Sequence, residues 1–486
     1  MNFGILQLAR KGAVQLLASG MMGVLTLAQI AFLSRHFGYR DLGIVSTQLL
    51  VVSIFTTFCD FGWEGFIIQE RGSRRRVALI LGSALPRLIG FAVIVDLVMA
   101  FALRELGVVE AAWLTLLLVA PVLPFVILVG ALQGFAVRAL DIERLAMSEV
   151  FSKLLGVGVT IGTAWHFDSL NCVVLGFICT IAAKFIFMSS FQLDTLKVIL
   201  LSVMRRARAK RLYYYMGTQL TGQLFNILGS KADELIVASM MSLEIFGIYA
   251  SIKQLVIQGT SFAAPLIRRF TMPYFSRDRL SDGPRGDRTI SIFVWSNAAY
   301  ITFFLTLAIG AGLVTQFVLG PRFVNHADML IRFAVLWSFQ TFAGATMSAY
   351  LQSTGSPFKA LAWMSIQVIV QLAVMWATIS LGLENMLFWA SVSYATMAFS
   401  YHLWFFREEA GLTVAQVFRR ILSPVIFYYA LAAAIIWGLR SLSLPSVFEI
   451  VGASIFVGAV VFFSLRERNS QVNIEHQASR GALRQR

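Results

Sequence analysis

The chain has 486 residues, of which 58% are hydrophobic and only 13% charged, and its mean hydropathy is +0.75. Soluble domains carry roughly a quarter of charged residues, so this composition excludes an ordinary soluble protein and indicates a membrane protein. The formal net charge of +15 could suit nucleic acid, but Lys and Arg crowd every second polar gap, which is a topology signal and argues against a nucleic-acid partner.

Apolar runs separated by short polar gaps predict about fourteen transmembrane helices, because each span needs about 20 apolar residues. The predicted spans lie near 13–34, 43–66, 77–103, 112–135, 146–165, 169–190, 212–239, 245–273, 289–318, 327–352, 358–381, 384–404, 420–439 and 447–465. The alternation of basic gaps, densest in RRARAKR at 205–211, predicts an even number of spans with both termini in the cytoplasm.

An internal duplication divides the chain. The segment at 14–46 aligns without a gap with the segment at 218–250, so that Gln29 falls on Asp233 and Gly43 on Gly247. Both segments begin on the same side of the membrane, which predicts parallel repeats about an axis along the membrane normal. The fold class is therefore an all-α polytopic membrane protein, with two six-helix lobes and two further C-terminal helices.

The duplication sets the predicted domains. We place an N-lobe at 1–195, a basic cytoplasmic linker at 196–211, a C-lobe at 212–405, two appended helices at 406–466 and a basic cytoplasmic tail at 467–486. Transporters built in this way hold their substrate between the halves, where the opening helices can face one another.

Each opening helix carries polar residues at helical spacing. Small members of these stripes, such as Ser19 and Thr26, serve equally well for close helix packing. Side-chain amides are bulky and need several hydrogen-bond partners, which favours a wet cavity. The amides that we assign to a polar ligand are Gln15, Gln29, Gln219, Gln223 and Asn226.

Several charges fall within the predicted spans, where a charge costs roughly 2.5 to 3.5 kcal/mol and usually faces the bundle interior. The basic candidates for anion binding are Arg87, Lys153, Lys231 and Lys253; the acidic candidates for binding a coupling ion are Asp96, Glu149, Asp233 and Glu234.

Structural roles remain open for some of these charges. Glu149 and Lys153 are four residues apart in the favourable order and can neutralise each other. Lys231 and Glu234 are three residues apart and can pair, while Lys184 can reach a membrane face. The basic and amide side chains together suit a phosphorylated glycan, because Lys and Arg attract phosphate and amides bond sugars. The acidic residues suit coupling to H⁺ or Na⁺.

The stretch SRHFGYRDLGIVSTQLLVVSIFTTFCDFGWEGFIIQERG resembles the second-helix signature of bacterial polysaccharide exporters, with Phe61, Gly62, Ile68 and Gln69 in the pattern. The stretch KADELIVASMMSLEIFGIYASIKQL resembles the seventh and eighth helices of the same superfamily. On these motifs the chain is identified as a member of the multidrug, oligosaccharidyl-lipid and polysaccharide exporter superfamily, most like its Wzx-type flippases.

That resemblance implies alternating access around a central cationic cavity. The implied activity is translocation of undecaprenyl-pyrophosphate-linked oligosaccharide across the bacterial inner membrane for surface or exopolysaccharide synthesis. Implied partners are this polyprenyl-diphosphate oligosaccharide, membrane lipids, and polysaccharide polymerase and chain-length proteins. Drug-extruding members also carry acidic residues in their first helix, where this chain has only Gln15, Ser19, Thr26 and Gln29.

Two other functions are compatible with a membrane protein of this kind. A cation-coupled exporter of drugs or metabolites would use Asp233, Glu234 or Asp96. A membrane enzyme acting on lipid-linked sugars would need paired carboxylates in a large outer loop, and the predicted outer gaps are short. The chain has no nucleotide-binding G-x-x-x-x-G-K-[ST] loop and no clustered His or Cys, so we expect no enzyme activity, cofactor or metal.

Overall fold

The structure is a computed structural model that describes residues 2–59, 61–62, 66–67, 70, 72–105, 110–203, 210–258, 286–353, 357–410, 413–441 and 449–460. These residues are helical or in turns, and none of them forms a strand. The chain divides into two compact units. The first comprises Met1–Phe262 with Val318–Gly320, and the second comprises Ala263–Phe317 and Pro321–Arg486.

The first unit contains nine helices among its described residues. They are α1 Asn2–His36, α2 Tyr39–Cys59, α3 Arg74–Glu105, α4 Glu110–Arg138, α5 Ile142–Phe167, α6 Cys172–Phe191, the short α7 Leu193–Leu201, α8 Lys210–Met240 and α9 over 243–258. Within α4 the backbone tightens to a 3₁₀ turn at Ala120–Val122, because Pro121 has no N–H to continue the α-helical pattern.

Small residues set the closest helix contact of the first unit. A β-carbon on Gly156 of α5 would lie 2.7 Å from Gly176 O of α6, and one on Gly176 would lie 2.7 Å from Gly156 O. Thr160 and Thr180 flank this crossing, and each hydroxyl donates to a carbonyl of its own helix. Glycine on both sides thus allows the two backbones to touch, as is common in membrane helix pairs.

A second close contact joins the duplicated segments. A β-carbon on Gly247 of α9 would lie 2.7 Å from Gly43 N at the start of α2, and it would collide with Tyr39 O. A β-carbon on Gly43 would collide with Leu243 O. The two glycines that align in the duplication therefore face each other, and neither position has space for a side chain.

The second unit contains seven helices among its described residues. They are α10 Gly286–Ile309, α11 Ala311–Leu319, α12 Ala327–Ser353, α13 Pro357–Thr378, α14 Leu383–Ala410, α15 Val414–Ser441 and α16 Glu449–Val460. The last two residues of α11 belong to the first unit. α10 and α11 meet at a 73° bend around Gly310. Glu449 of α16 accepts a hydrogen bond from Leu313 N at 2.9 Å, which satisfies a free backbone donor at the start of α11.

Aromatic side chains fill the core of the second unit. Phe293 of α10 lies against Phe405 and Phe406 of α14, with ring centroids 5.7 and 5.1 Å apart. Trp363 of α13 stacks on Tyr401 of α14 at 3.9 Å. These large rings hold α10, α13 and α14 together through apolar area and favourable ring geometry.

The apolar helices make this a multi-pass membrane protein. Eight described helices are long and apolar enough to cross a membrane, or nine if the bent pair is one span. The predicted all-α class agrees with the structure, whereas the count of about fourteen spans stays a prediction. The lobe boundary at 196–211 also stays a prediction. The compact first unit continues past it through α8 and α9.

Candidate functional site

Four charges from α8 and α9 form a buried network, which we call the Lys253 cluster: Lys231, Asp233, Glu234 and Lys253. Lys253 Nζ lies 2.7 Å from Asp233 Oδ1 and 2.8 Å from Glu234 Oε1, and it donates to Ser230 O at 2.8 Å. An ammonium has three donors, and all three are used here. Only 2% of the Lys253 side chain is exposed.

The other residues of the Lys253 cluster balance the remaining charges. Lys231 Nζ lies 3.0 Å from Glu234 Oε1, as its spacing allowed. Tyr249 of α9 donates its hydroxyl to Asp233 Oδ2 at 2.6 Å. Two lysines therefore face two carboxylates. Sequence analysis identified all four charges, but it missed Tyr249 as a partner of Asp233.

A second charged group lies on α5 and α6. Glu149 Oε1 is 3.7 Å from Lys184 Nζ and accepts from Gln133 Nε2 at 3.3 Å. The spacing allowed Glu149 to pair with Lys153 along one helix, but in the structure Lys184 on the neighbouring helix pairs with the carboxylate. Lys184 is correspondingly a structural partner and does not need to reach a membrane face.

Lys153 is left with a neutral partner. Its Nζ donates to Gln29 Oε1 of α1 at 3.2 Å, and the Gln29 amide nitrogen lies 3.4 Å from Thr160 Oγ1. Lys153 forms no ion pair with a described residue. An amide oxygen orients an ammonium but leaves its charge uncompensated, which makes Lys153 a site of attraction for anions.

Arg87 is a second candidate cation without a carboxylate partner among the described residues. It follows Pro86 on α3, its side chain is exposed, and its Nη1 donates to Tyr213 OH of α8 at 2.9 Å. A guanidinium has five donors in a planar fork, so most of them stay available for a phosphate or carboxylate.

The amide stripe of α8 is partly internal to the protein. Gln219 donates to Tyr215 OH at 3.1 Å and is half-buried, as is Gln223. Gly62, in the left-handed region with φ of 69°, packs against Gln219, and a β-carbon there would lie 2.6 Å from Gln219 Cγ. The side chain of Asn226 lies outside the described residues, as do Ile68 and Gln69 of the motif that contains Gly62.

On α1, the two predicted amides differ in their surroundings. Gln29 is buried and bonded as described above, whereas the buried Oε1 of Gln15 has no hydrogen-bond partner. The predicted glycan-binding residues thus lie on α1 and α8, but no hydrogen bond among the described residues joins Gln15 to the α8 amides.

Asp96 of α3 is the acidic candidate with the most unusual environment. It is fully buried, and neither carboxylate oxygen has a hydrogen-bond partner. Among the described acidic candidates, Asp233, Glu234 and Glu149 each face a lysine, whereas Asp96 faces none. No group of three or more His, Cys, Asp or Glu residues in the described part of the chain is arranged to hold a metal ion.

Comparisons with known proteins agree with this architecture. The lipid II flippase MurJ in an inward closed conformation matches with a TM-score of 0.70 at 9% identity, covering 94% of this chain and 99% of that one. An inward-facing multidrug resistance MATE family transporter of the MOP superfamily matches with a TM-score of 0.58 at 13% identity, covering 84% and 99%. At these identities the likeness shows the fold, and it confirms the predicted all-α class.

Sequence comparison gives the family. The amylovoran biosynthesis protein AmsL of Erwinia amylovora is 25% identical over 225 residues, covering 45% of this chain and 56% of that protein, so the chain spans about half the length of this curated relative. A family model described as "Polysaccharide biosynthesis protein" matches residues 32–328. Because that match covers more than half of the chain, the protein belongs to the polysaccharide biosynthesis protein family.

Proposed function

We propose that the protein is a flippase that moves a polyprenyl-diphosphate-linked oligosaccharide across the bacterial inner membrane for surface or exopolysaccharide synthesis. The observation that carries this proposal is the pair of cations, Lys153 and Arg87, that have no carboxylate partner among the described residues of the first unit. A polysaccharide family and two cations without a counter-charge together suit an anionic, lipid-linked glycan.

The candidate phosphate-binding cations differ in whether they already pair with a carboxylate. Lys153 and Arg87 would attract the diphosphate, whereas Lys231 and Lys253 are engaged by Asp233 and Glu234 and would reach a phosphate only if their cluster opened. The half-buried amides Gln219 and Gln223, together with Asn226, Gln15 and Gln29, would bond sugar hydroxyls. The polyprenyl tail is apolar and would stay in lipid, since burying a diphosphate in hydrocarbon is far more costly than burying the tail.

The proposed topology follows from the basic gaps in the sequence. Both termini would be cytoplasmic, with about fourteen spans grouped as two lobes and two appended helices. Membrane lipids would surround the spans, and polymerase and chain-length proteins would take the exported repeat unit. No reaction is assigned to the protein itself, and movement would be driven by an ion gradient.

The test is complementation in a bacterium that lacks its own repeat-unit exporter, with surface polymer and inner-leaflet lipid-linked precursor measured together. Wild type should restore polymer. Lys153→Met and Arg87→Ala should each lower polymer and accumulate precursor at normal protein levels. Arg144→Ala is the matched control on α5, because Arg144 is exposed and pairs with Asp141 near the helix start.

Two results would contradict the proposal. Full export by both Lys153→Met and Arg87→Ala would mean that these cations do not bind the cargo. No effect of wild type on polymer or precursor would instead favour the alternative, a cation-coupled exporter of drugs or metabolites.

A further inference from the structure

We propose that Asp96 is a proton-binding site reached through an adjacent apolar cavity, and that proton exchange there couples transport to the proton gradient. The coupling part rests on the proposed function, whereas the proton site itself does not. Of the four acidic candidates, Asp96 is then the one that binds the coupling ion, and that ion is H⁺ and not Na⁺.

Asp96 is buried without a hydrogen-bond partner among the described residues. Its side chain is fully buried, and both oxygens lack a hydrogen-bond donor. An ionised carboxylate in such a place would be an uncompensated buried charge, which costs several kcal/mol. A carboxylic acid avoids that cost by holding a proton. A bound Na⁺ would need several oxygen ligands, whereas the cavity beside Asp96 is lined almost wholly by apolar side chains.

The charged groups around Asp96 do not compensate an ionised carboxylate. The thiol of Cys59 on α2 interacts electrostatically with the carboxyl. Among described residues, the other charged groups on the elements that pack against α3 or line the cavity are exposed, hydrogen-bonded, paired or at a helix end. They are Arg40 and Asp41 on α2, Glu110 and Arg138 on α4, Asp194 and the exposed Lys197 on α7, and Lys231, Asp233 and Glu234 on α8. On α3 itself, Arg87 bonds Tyr213 and Arg104 lies over Trp113. No cation among the described residues therefore stabilises an ionised Asp96.

A cavity next to Asp96 gives protons a route to its carboxyl. A cavity of about 310 Å³ lies between α2, α3 and α8. Its lining includes Cys59, which lies near Asp96, and Val95, the residue before Asp96 in the chain. The rest of the lining is almost wholly apolar: Phe55, Phe58, Phe61, Phe91, Ala92, Leu220, Thr221 and Leu224. Thr221 and Leu224 are exposed, so this cavity brings the outside of the first unit close to the buried acid. Water entering the cavity during a conformational change could exchange the proton.

The site can be tested by its own chemistry, without transport. Dicyclohexylcarbodiimide is an apolar reagent that adds to protonated carboxylic acids. The acid proton moves to a carbodiimide nitrogen, the carboxyl oxygen bonds the central carbon, and the adduct rearranges to a stable N-acylurea with no leaving group. The purified full-length protein is treated over a range of pH and the modified residue is identified by mass spectrometry.

We expect label at Asp96 that falls as the pH rises, and loss of that label in Asp96→Asn. Asp233 is the internal control, because an ionised carboxylate paired with Lys253 should not react. An Ala92→Cys variant treated with N-cyclohexylmaleimide shows whether an apolar reagent of this size enters the cavity, because Ala92 is a buried residue of its lining. Reaction of that cysteine with no label at Asp96 at any pH would overturn the proton site. Protection of Asp96 by NaCl but not by KCl would overturn the choice of H⁺.

Coupling is tested separately in the complementation strain. Asp96→Asn keeps the size of the side chain but cannot exchange a proton, so surface polymer should be lost at normal protein level, while Asp96→Glu should retain part of it. Wild-type export by Asp96→Asn, with the label at Asp96 established, would overturn coupling and leave the proton site intact. Failure of wild type to complement would count against the proposed function, and the labelling result would still decide the proton site.

Discussion

Replacing Lys253 with methionine should destabilise the protein, because Lys253 is the only cation that pairs with Asp233 among the described residues. Methionine keeps most of the apolar stem but removes the ammonium that lies 2.7 Å from Asp233 Oδ1 and 2.8 Å from Glu234 Oε1. Glu234 would keep Lys231 at 3.0 Å, but Asp233 would keep only the hydroxyl of Tyr249. One buried carboxylate would therefore lose its counter-charge.

The size of the effect follows from burial. Exposure of the side chains is 2% for Lys253 and 11% for Asp233, so solvent screens the pair little. Breaking a buried ion pair by removing one partner costs about 3–5 kcal/mol. With an unfolding entropy of about 2 cal/mol/K per residue, a chain of this length should lose roughly 3–5 °C in Tm.

The assay is thermal unfolding of the detergent-purified protein, followed by loss of monodisperse material. Adding Asp233→Asn to Lys253→Met should recover most of the loss, because the remaining Lys231 and Glu234 still neutralise each other. Lys359→Met is the control: that lysine is 43% exposed and 3.5 Å from Glu408, so its loss should cost less than about 1 kcal/mol.

Wild-type stability in Lys253→Met would refute the structural role of the cluster. If that stable variant also lost export, Lys253 would be a cargo-binding residue, as its sequence position first suggested. A double variant less stable than the single one would refute the charge argument in another way, since it would show that Asp233 contributes without Lys253.

Two further predictions follow from the packing. Gly247→Val should lower the yield of folded protein or trap a conformation in which α2 and α9 have separated, because a side chain at Gly247 collides with the backbone near Gly43. Size-exclusion chromatography measures the yield of folded protein. Gly217→Ala is the control, because a β-carbon there meets nothing within 4 Å. Glu149→Gln should lower Tm by roughly 2–3 °C, because it leaves Lys184 partly buried without a carboxylate; equal Tm values for variant and wild type would contradict that pairing.

Hydrophobic patterning predicted the helices of this protein well, and the reason is physical. Every backbone polar group within a membrane must be satisfied internally, so a long apolar run has few structures other than a helix. The 73° bend between α10 and α11 was not predicted. The predicted span 289–318 is one apolar run, and Gly310 within it gives no clear break signal, because glycine is common in membrane helices.

The ion pairs were less predictable than the helices. Spacing along a helix correctly suggested Lys231 with Glu234, but it also suggested Glu149 with Lys153, and there Lys184 of α6 provides the partner. Local spacing shows which side chains can meet on one helix, whereas the choice among several cations depends on how helices pack against one another. That packing depends on details such as the close approach at Gly156, which the sequence alone does not reveal.

Gln29 and Asp233 occupy the same position in the two repeats. The difference between them explains why the charge of Lys153 is uncompensated, whereas that of Lys253 is neutralised. In both repeats the opening helix presents a side-chain oxygen to a lysine: Lys153 lies 3.2 Å from Gln29 Oε1, and Lys253 lies 2.7 Å from Asp233 Oδ1. The geometry is similar but the charge differs, because an amide only orients the ammonium and a carboxylate neutralises it. An anionic cargo should therefore be attracted to Lys153 and not to Lys253. Gln29→Glu would then be expected to weaken export by neutralising Lys153 without removing it. Unchanged export by that variant, with stability equal to wild type, would show that the charge of Lys153 is not what draws the cargo.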